Sequence, residues 1–158
     1  MSDDKAPASP LTNFIGAARE GRLLVRMDPE QFVYLDRDCQ FFKDQIRLIQ
    51  TDMDAISKQE SWGLGEHYVG KNGKDLISGK TMVKRYREKA KGSNNGVYEV
   101  MESHYKIVED FQSLFRTIRE RLCAQDATWA ATYRDKEANL PQRPPTPARI
   151  FSWPMPVE

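Results

Sequence analysis

Residues 32–56 read FVYLDRDCQFFKDQIRLIQTDMDAI, and their apolar positions decide the fold class. Phe32, Leu35, Cys39, Phe42, Ile46, Ile49, Met53 and Ile56 follow one another at alternating steps of three and four. That rhythm repeats every seven residues and marks one side of a long helix, whereas a strand would place an apolar residue at every second position. A second seam with the same rhythm follows downstream at Val97, Val100, His104, Ile107, Phe111, Leu114 and Ile118. Two such seams in one chain predict an all-α, long antiparallel helical hairpin, four-helix-bundle-like if two copies pair.

The helix boundaries are written beside the seams. Asp28-Pro29-Glu30-Gln31 reads as a helix start, with Asp28 as cap, Pro29 at the first helical position and Gln31 closing an approximate capping box. From there a helix to about Glu60 spans roughly 45 Å. Its outer face, Asp36, Arg37, Asp38, Lys43, Asp44 and Arg47, reads as a solvated mixture. Trp62-Gly63-Leu64-Gly65 breaks the pattern, and Asp75 opens a shorter helix with Leu76, Val83, Tyr86 and Ala90 as its apolar side. After Gly92–Gly96 the last helix begins. Beside its seam runs a second stripe, Met101, Val108, Phe115, Leu122 and Trp129, at steps of seven. A face that wide is more than one partner helix covers, which predicts self-association or pairing with a related hairpin. No Gly or Pro interrupts Val97 to Asn139, so this helix is expected to run on through Trp129 and Tyr133.

Outside the hairpin, residues 1–12 read as disordered and Leu11–Arg22 as a short helix with Phe14, Ile15, Ala17 and Ala18 on its apolar side. The hairpin domain is expected over 13–138. Six prolines fall within 141–158, so 139–158 reads as a proline-rich disordered tail carrying the aromatic run Phe151-Ser152-Trp153-Pro154-Met155-Pro156.

Composition narrows the function classes. Charged residues make up 30% of the 158 and apolar residues 39%, which suits a narrow helical core with large solvated faces. The net charge of +1 gives no global attraction to nucleic acid or anionic lipid. No apolar run approaches the roughly 20 residues of a membrane span, and the first ten residues lack the regions of a Sec signal. No nucleophile elbow, phosphate-cradling loop or zinc spacing is present. The reading is therefore a non-enzyme without a cofactor, metal or small-molecule substrate. His104 reads as a partly buried seam histidine or, on a sharper reading, a pH-sensitive packing position. Cys39 reads as a small core residue; an antiparallel hairpin places it toward the same end as Cys123, which leaves a disulfide open. The basic run Lys80, Lys84, Arg85, Arg87, Lys89 and Lys91 reads as a solvated helix face, with nucleic acid or an acidic partner as the lesser alternative.

Trp62 with its glycines reads as a turn packed over the hairpin end, or as an exposed recognition feature. Tyr105 with Glu109, and Tyr133 with Glu137, are both Tyr-x-x-x-Glu pairs, neighbours on one helix face. The first reads as surface composition; the second sits at an accessible end of the hairpin. A helix opened by Asp-Pro-Glu, a Trp/Gly turn, a second helix and Tyr-x-x-x-Glu together resemble the Trp-x-Gly (ESX-type) helical-hairpin superfamily, over roughly Asp28 to Glu137. These are substrates and partners of type VII secretion in actinobacteria and related bacteria. The resemblance implies that Trp62, Gly63 and Gly65 form the hairpin-turn motif and that Tyr133 and Glu137 form an export signal. It also implies secretion or surface display by a non-Sec route after a cytoplasmic stage, with the secretion machinery and a hairpin protein as partners. The turn here departs from the family's pattern: Gly follows Trp62 at the first and third positions, not the second. The segment between the long helices is also longer than a hairpin turn. The reading from a different class is a cytosolic coiled-coil adaptor using the proline-rich tail.

Overall fold

A computed structural model describes residues 11–23, 25–70 and 77–141. The readings for 1–10, Asp75, Leu76 and 142–158 lie outside the described residues. Five helices follow in order: α1 (Thr12–Arg19), α2 (Pro29–Lys58), α3 (Ile77–Ala90), α4 (Val97–Gln125) and α5 (Ala127–Ala138). The all-α hairpin expected from the two seams is what forms. α2 starts where Asp28-Pro29 places it, with the Asp28 N–H donating to Gln31 Oε1 at 3.0 Å.

α2 and α4 run antiparallel, and polar side chains set their pairing. Asp36 of α2 meets Arg116 of α4 through two oxygens, at 2.5 and 3.1 Å. The Gln112 amide donates to the Asp36 carbonyl at 3.2 Å. Further along, Arg47 donates to Glu102 at 2.6 Å. Gln50 donates to Glu102 and to the Tyr98 carbonyl, at 3.0 and 3.2 Å. Between these layers Arg47 lies over the Tyr105 ring at 3.8 Å from its centroid, with Lys43 at 5.8 Å. Asp36, Lys43 and Arg47 are therefore not a solvated outer face. They meet α4, and Tyr105, read as surface composition, is the aromatic plate that Lys43 and Arg47 rest on. Among the residues read with them, Asp44 is exposed and accepts from Gln40 at 2.9 Å.

The apolar seam sits beside this polar row and not in it. Leu35, Phe42, Ile49 and Met53 each precede by one residue Asp36, Lys43, Gln50 and Asp54. On α4, Met101, His104, Phe111 and Phe115 likewise precede Glu102, Tyr105, Gln112 and Arg116. One residue is about 100° of rotation. In an antiparallel pair the same rotation on both helices leads to the same side, so Leu35, Phe42 and Ile49 of α2 flank one side of the hairpin together with His104 and Phe111 of α4. Val100 and Ile107, two residues from Glu102 and Tyr105, lie about 200° round on the outward side of α4.

The buried core gathers at one end, where Ala18, Phe32, Val33, Leu114, Ile118 and Tyr133 close together with Phe115, Leu122, Trp129 and Leu140 against them. α1 covers α4 there, and Arg121 reaches the Arg19 carbonyl at 2.5 Å. The single long last helix expected from the absence of Gly and Pro does not form. Asp126 leaves helical geometry at φ −136° and ψ 108°, and its carboxylate accepts from the Thr128 and Trp129 N–H groups at 2.8 and 3.0 Å. An acidic N-cap needs no Gly or Pro to end one helix and begin another. The break turns α5 onto the start of α2, where Lys136 meets Glu30 at 3.5 Å. Trp129 thus joins the core from a separate helix and does not extend the α4 stripe. Leu140 in the same core carries the packed structure past residue 138.

Candidate functional site: an uncovered apolar face and a locked turn

Only part of the seam is covered. Phe32, Ile46, Leu114 and Ile118 are buried, and Leu35, Met53, Ile56, Met101, Val108, Phe115 and Leu122 are half-buried. Phe42 remains 55% exposed, Phe111 43%, Val100 and Ile107 40%, and Ile49 39%. His104 is exposed as well, so the partly buried histidine expected on the seam is a correction. The polar row holds α2 to α4, and Phe42 and Ile49 of the α2 seam with Val97, Val100, Ile107 and Phe111 of the α4 seam are left open. Isolated exposed apolar residues are ordinary, but Phe42, Ile49 and Phe111 stand together on one side of the hairpin, an interaction surface in want of cover, with Val100 and Ile107 on the outward side of α4.

The Trp62 turn is built, not presented. The Trp62 ring stacks on Tyr86 of α3 at 5.6 Å and 26°, and its indole N–H donates to the Gln59 carbonyl at 3.1 Å. Gly63 and Gly65 take φ of 68° and 76°, the left-handed region where a Cβ is strained. This curl aims successive N–H groups inward at the Glu66 carboxylate. Trp62 and Gly63 donate to Oε1, the latter at 3.2 Å, and Leu64 donates to Oε2 at 2.8 Å. Glu66 is the carboxylate missed in sequence, where the motif was read as ending at Gly65. A carboxylate following two glycines spaced by one residue was the available signal. The Trp62 N–H first, then Glu66's own backbone and that of Leu64, lower its pKa from the usual 4.5 to about 2.

The depressed pKa has a definite sign. Ionised Glu66 stabilises the fold at any pH above about 4.5, and that contribution is lost as pH falls through about 2. Glu66→Gln turns an amide N–H₂ or a neutral oxygen toward donors that need an anion. The variant is expected to unfold at lower urea than wild type near neutral pH. The gap in urea midpoints should close on acidification toward about 2. A gap independent of pH would show that the carboxylate charge is not what holds the turn.

α3 docks tightly on this turn through Gly79. A methyl group there would lie 2.5 Å from the Leu64 carbonyl oxygen and 3.0 Å from the Glu66 nitrogen, both backbone atoms. Alanine is ordinarily the better helix residue by about 1 kcal/mol. Here Gly79→Ala is expected to reverse that sign and lower thermal stability by about 1–3 kcal/mol through overpacking. Val83 and Ala90 are buried beneath α3 and Tyr86 meets Trp62, as the apolar side of that helix predicts. Of the basic run, Arg87 is committed to the α2 terminus, donating to the Gln59 and Glu60 carbonyls, the first contact through Nε at 3.1 Å. Lys91 pairs with Asp54 and lies 4.3 Å from the Tyr98 ring centroid. Lys80, Lys84, Arg85 and Lys89 are the exposed cations of this helix. Sequence alone did not separate the two sets.

Tyr133 and Glu137 are neighbours as their spacing implies, with the Tyr133 hydroxyl donating to Glu137 Oε1 at 3.1 Å. The position is not accessible. Tyr133 is 5% exposed, stacked on Trp129 at 5.8 Å, and accepts from Arg119 at 3.1 Å. Burial pushes its phenol above the ordinary value, and Glu137 alone of the pair is exposed. The two cysteines are free and half-buried. Cys39 lies near the level of Gln112 in the antiparallel pairing and Cys123 eleven residues further along α4, so the disulfide left open is not formed. Among the described residues no group of His, Cys, Asp and Glu could hold a metal ion, and no helix is long and apolar enough to cross a membrane. Comparison with protein-family models, curated proteins and solved structures found no match.

Proposed function

We propose that this protein is a non-enzymatic helical-hairpin subunit that works by pairing, through the face of Phe42, Ile49 and Phe111, with a second copy or a related hairpin. It serves type VII (ESX-like) secretion as an exported substrate or targeting partner. The observation that carries the pairing half is the uncovered apolar row beside a polar helix–helix contact. The polar row already specifies the intrachain hairpin, so the apolar seam is free to meet another chain. The secretion half rests on the resemblance in Asp28-Pro29-Glu30, the Trp62 turn and Tyr133/Glu137. Burial of Tyr133 means that export machinery would read Glu137 and its helix on the folded surface, or read Tyr133 only after α5 lifts.

Light scattering of the purified chain, alone and mixed with related hairpin proteins from its host, tests pairing. A 1:1 or 2:0 complex is expected at micromolar concentration, and a strict monomer in every mixture would rule pairing out. Export is tested by comparing culture medium from cells with and without the secretion system. Equal amounts in both would remove the secretion half. Glu137→Ala is the cleaner signal variant, because Tyr133→Ala also empties the core.

A further inference from the structure

We infer that the partner is a second copy of this chain, related by a two-fold axis parallel to the helices, so that α2 of each copy lies antiparallel on α4 of the other. This rests on the reading of the Phe42, Ile49 and Phe111 face as the pairing surface, and names what covers it. On α2 the open side chains alternate with Cys39 and Ile46 at steps of three and four, and on α4 the matching line runs Met101, His104, Val108 and Phe111. Each line alternates a standing side chain with a recessed one. Phe42, Ile49, His104 and Phe111 are exposed, whereas Ile46 is buried and Cys39, Met101 and Val108 are half-buried.

Contacts within the hairpin fix which residues share a height. Arg47 stands with Glu102, Gln50 with Tyr98 and Glu102, and Asp36 with Gln112 and Arg116. One step along α2 is therefore one step back along α4. By that rule Phe42 is level with Val108, Ile49 with Met101 and Cys39 with Phe111, to within about 1.5 Å of axis. A two-fold axis parallel to the helices shifts nothing along them, so the same levels hold between copies. Each standing side chain of one copy then meets a recessed one of the other, and symmetry makes every such contact twice. At the centre His104 meets Ile46. This is the interdigitation that a helix pair needs, and it arises without sliding either chain.

Charge and chain placement agree. The other face-to-face two-fold, running across the helices, would lay α2 on α2 and bring Asp38 of one copy beside Asp52 of the other. Like charges set together disfavour that arrangement. α5 leaves the face clear. Lys136 meets Glu30 and Arg37 meets the Pro141 carbonyl, and Arg37, with Glu30 seven residues before it, follows the polar row where the open residues precede it.

Oxidative cross-linking of the full chain tests the inference, because Cys39 itself lies on the face. The background is Cys123→Ser, with helix content checked by circular dichroism. Phe111→Cys is expected to link to Cys39 of the other copy and to run at twice the chain's mass after mild oxidation at micromolar concentration. Ile49→Cys, similarly open but level with Met101, is expected not to link, which separates docking from collision. His104→Leu is expected to tighten pairing at least about tenfold, since an apolar side chain would replace a polar ring against Ile46. Linking through Ile49→Cys instead would overturn the inference in favour of α2 on α2. Absence of both links, or unchanged pairing in His104→Leu, while the wild type still sediments as two copies, would overturn it and leave the pairing reading standing. Pairing only with a different hairpin would overturn the second copy and keep that reading. A chain that pairs with nothing would remove both.

Discussion

Phe32→Ala is expected to destabilise the fold by about 3–5 kcal/mol, the usual cost of emptying a buried aromatic position. Phe32 is 2% exposed and meets two rings edge-on, Phe115 at 6.0 Å and Trp129 at 5.5 Å. It therefore ties α2 to both α4 and α5, and through the same cluster to Ala18 of α1. A domain of this size has about 5–15 kcal/mol in total, so the loss would consume a large part of it. The instructive control is Phe42→Ala. The heptad rhythm treats Phe32 and Phe42 as equivalent, yet Phe42 is 55% exposed and is expected to change stability by no more than about 0.5 kcal/mol. Urea unfolding followed by helical circular dichroism measures both. Equal losses at the two positions would mean that the seam is internal along its whole length. No loss at Phe32 would mean that the end cluster is not the folding core.

The contrast between those two phenylalanines shows what periodicity conveys and what it omits. Spacing of three and four identified α2 and α4, because only a helix brings such positions to one side. It could not say which neighbour that side meets. The residues that hold the helices together, Asp36, Lys43 and Gln50 with Tyr98, Tyr105 and Gln112, also recur at seven, but they are polar. A search for apolar rhythm passes over them. Their pairing needs geometry that sequence does not carry: bidentate Arg116 on Asp36, Arg47 reaching both Glu102 and Gln50, and a tyrosine plate between cations. Arg116 overcomes the burial that would otherwise raise the Asp36 pKa, and holds that carboxyl below its ordinary range.

Two local features were missed for different reasons. The break at Asp126 uses an acidic cap, which is common within helices as well as before them, so the residue type alone does not announce it. Burial of Tyr133 follows from that break: only a reversed α5 brings it against Arg119 and Val33. Had α4 continued, Tyr133 would have stood clear of the hairpin, as expected. The Trp62 turn, by contrast, was recognisable from its glycines, and what sequence could not show was that a carboxylate four residues later fills it.

Phe42→Asp with Ile49→Asp is expected to leave the monomer folded and to weaken pairing by at least about 100-fold. Both side chains lie on the open flank of α2, 55% and 39% exposed, and neither belongs to the core cluster. In the free chain the new carboxylates stay in water, at a cost of a few tenths of a kcal/mol each in helix propensity. In a paired state each would be buried against apolar side chains with no cation supplied. An unpaired buried charge costs several kcal/mol, and every 1.4 kcal/mol is a factor of ten. Sedimentation equilibrium of wild type and variant, with circular dichroism to confirm equal helix content, reads the effect directly. Pairing that survives both charges would place the interface elsewhere, on the outward side of α4 or the exposed cations of α3. Loss of helix content would instead show that these positions support the monomer, and that the open seam is less open than its exposure says.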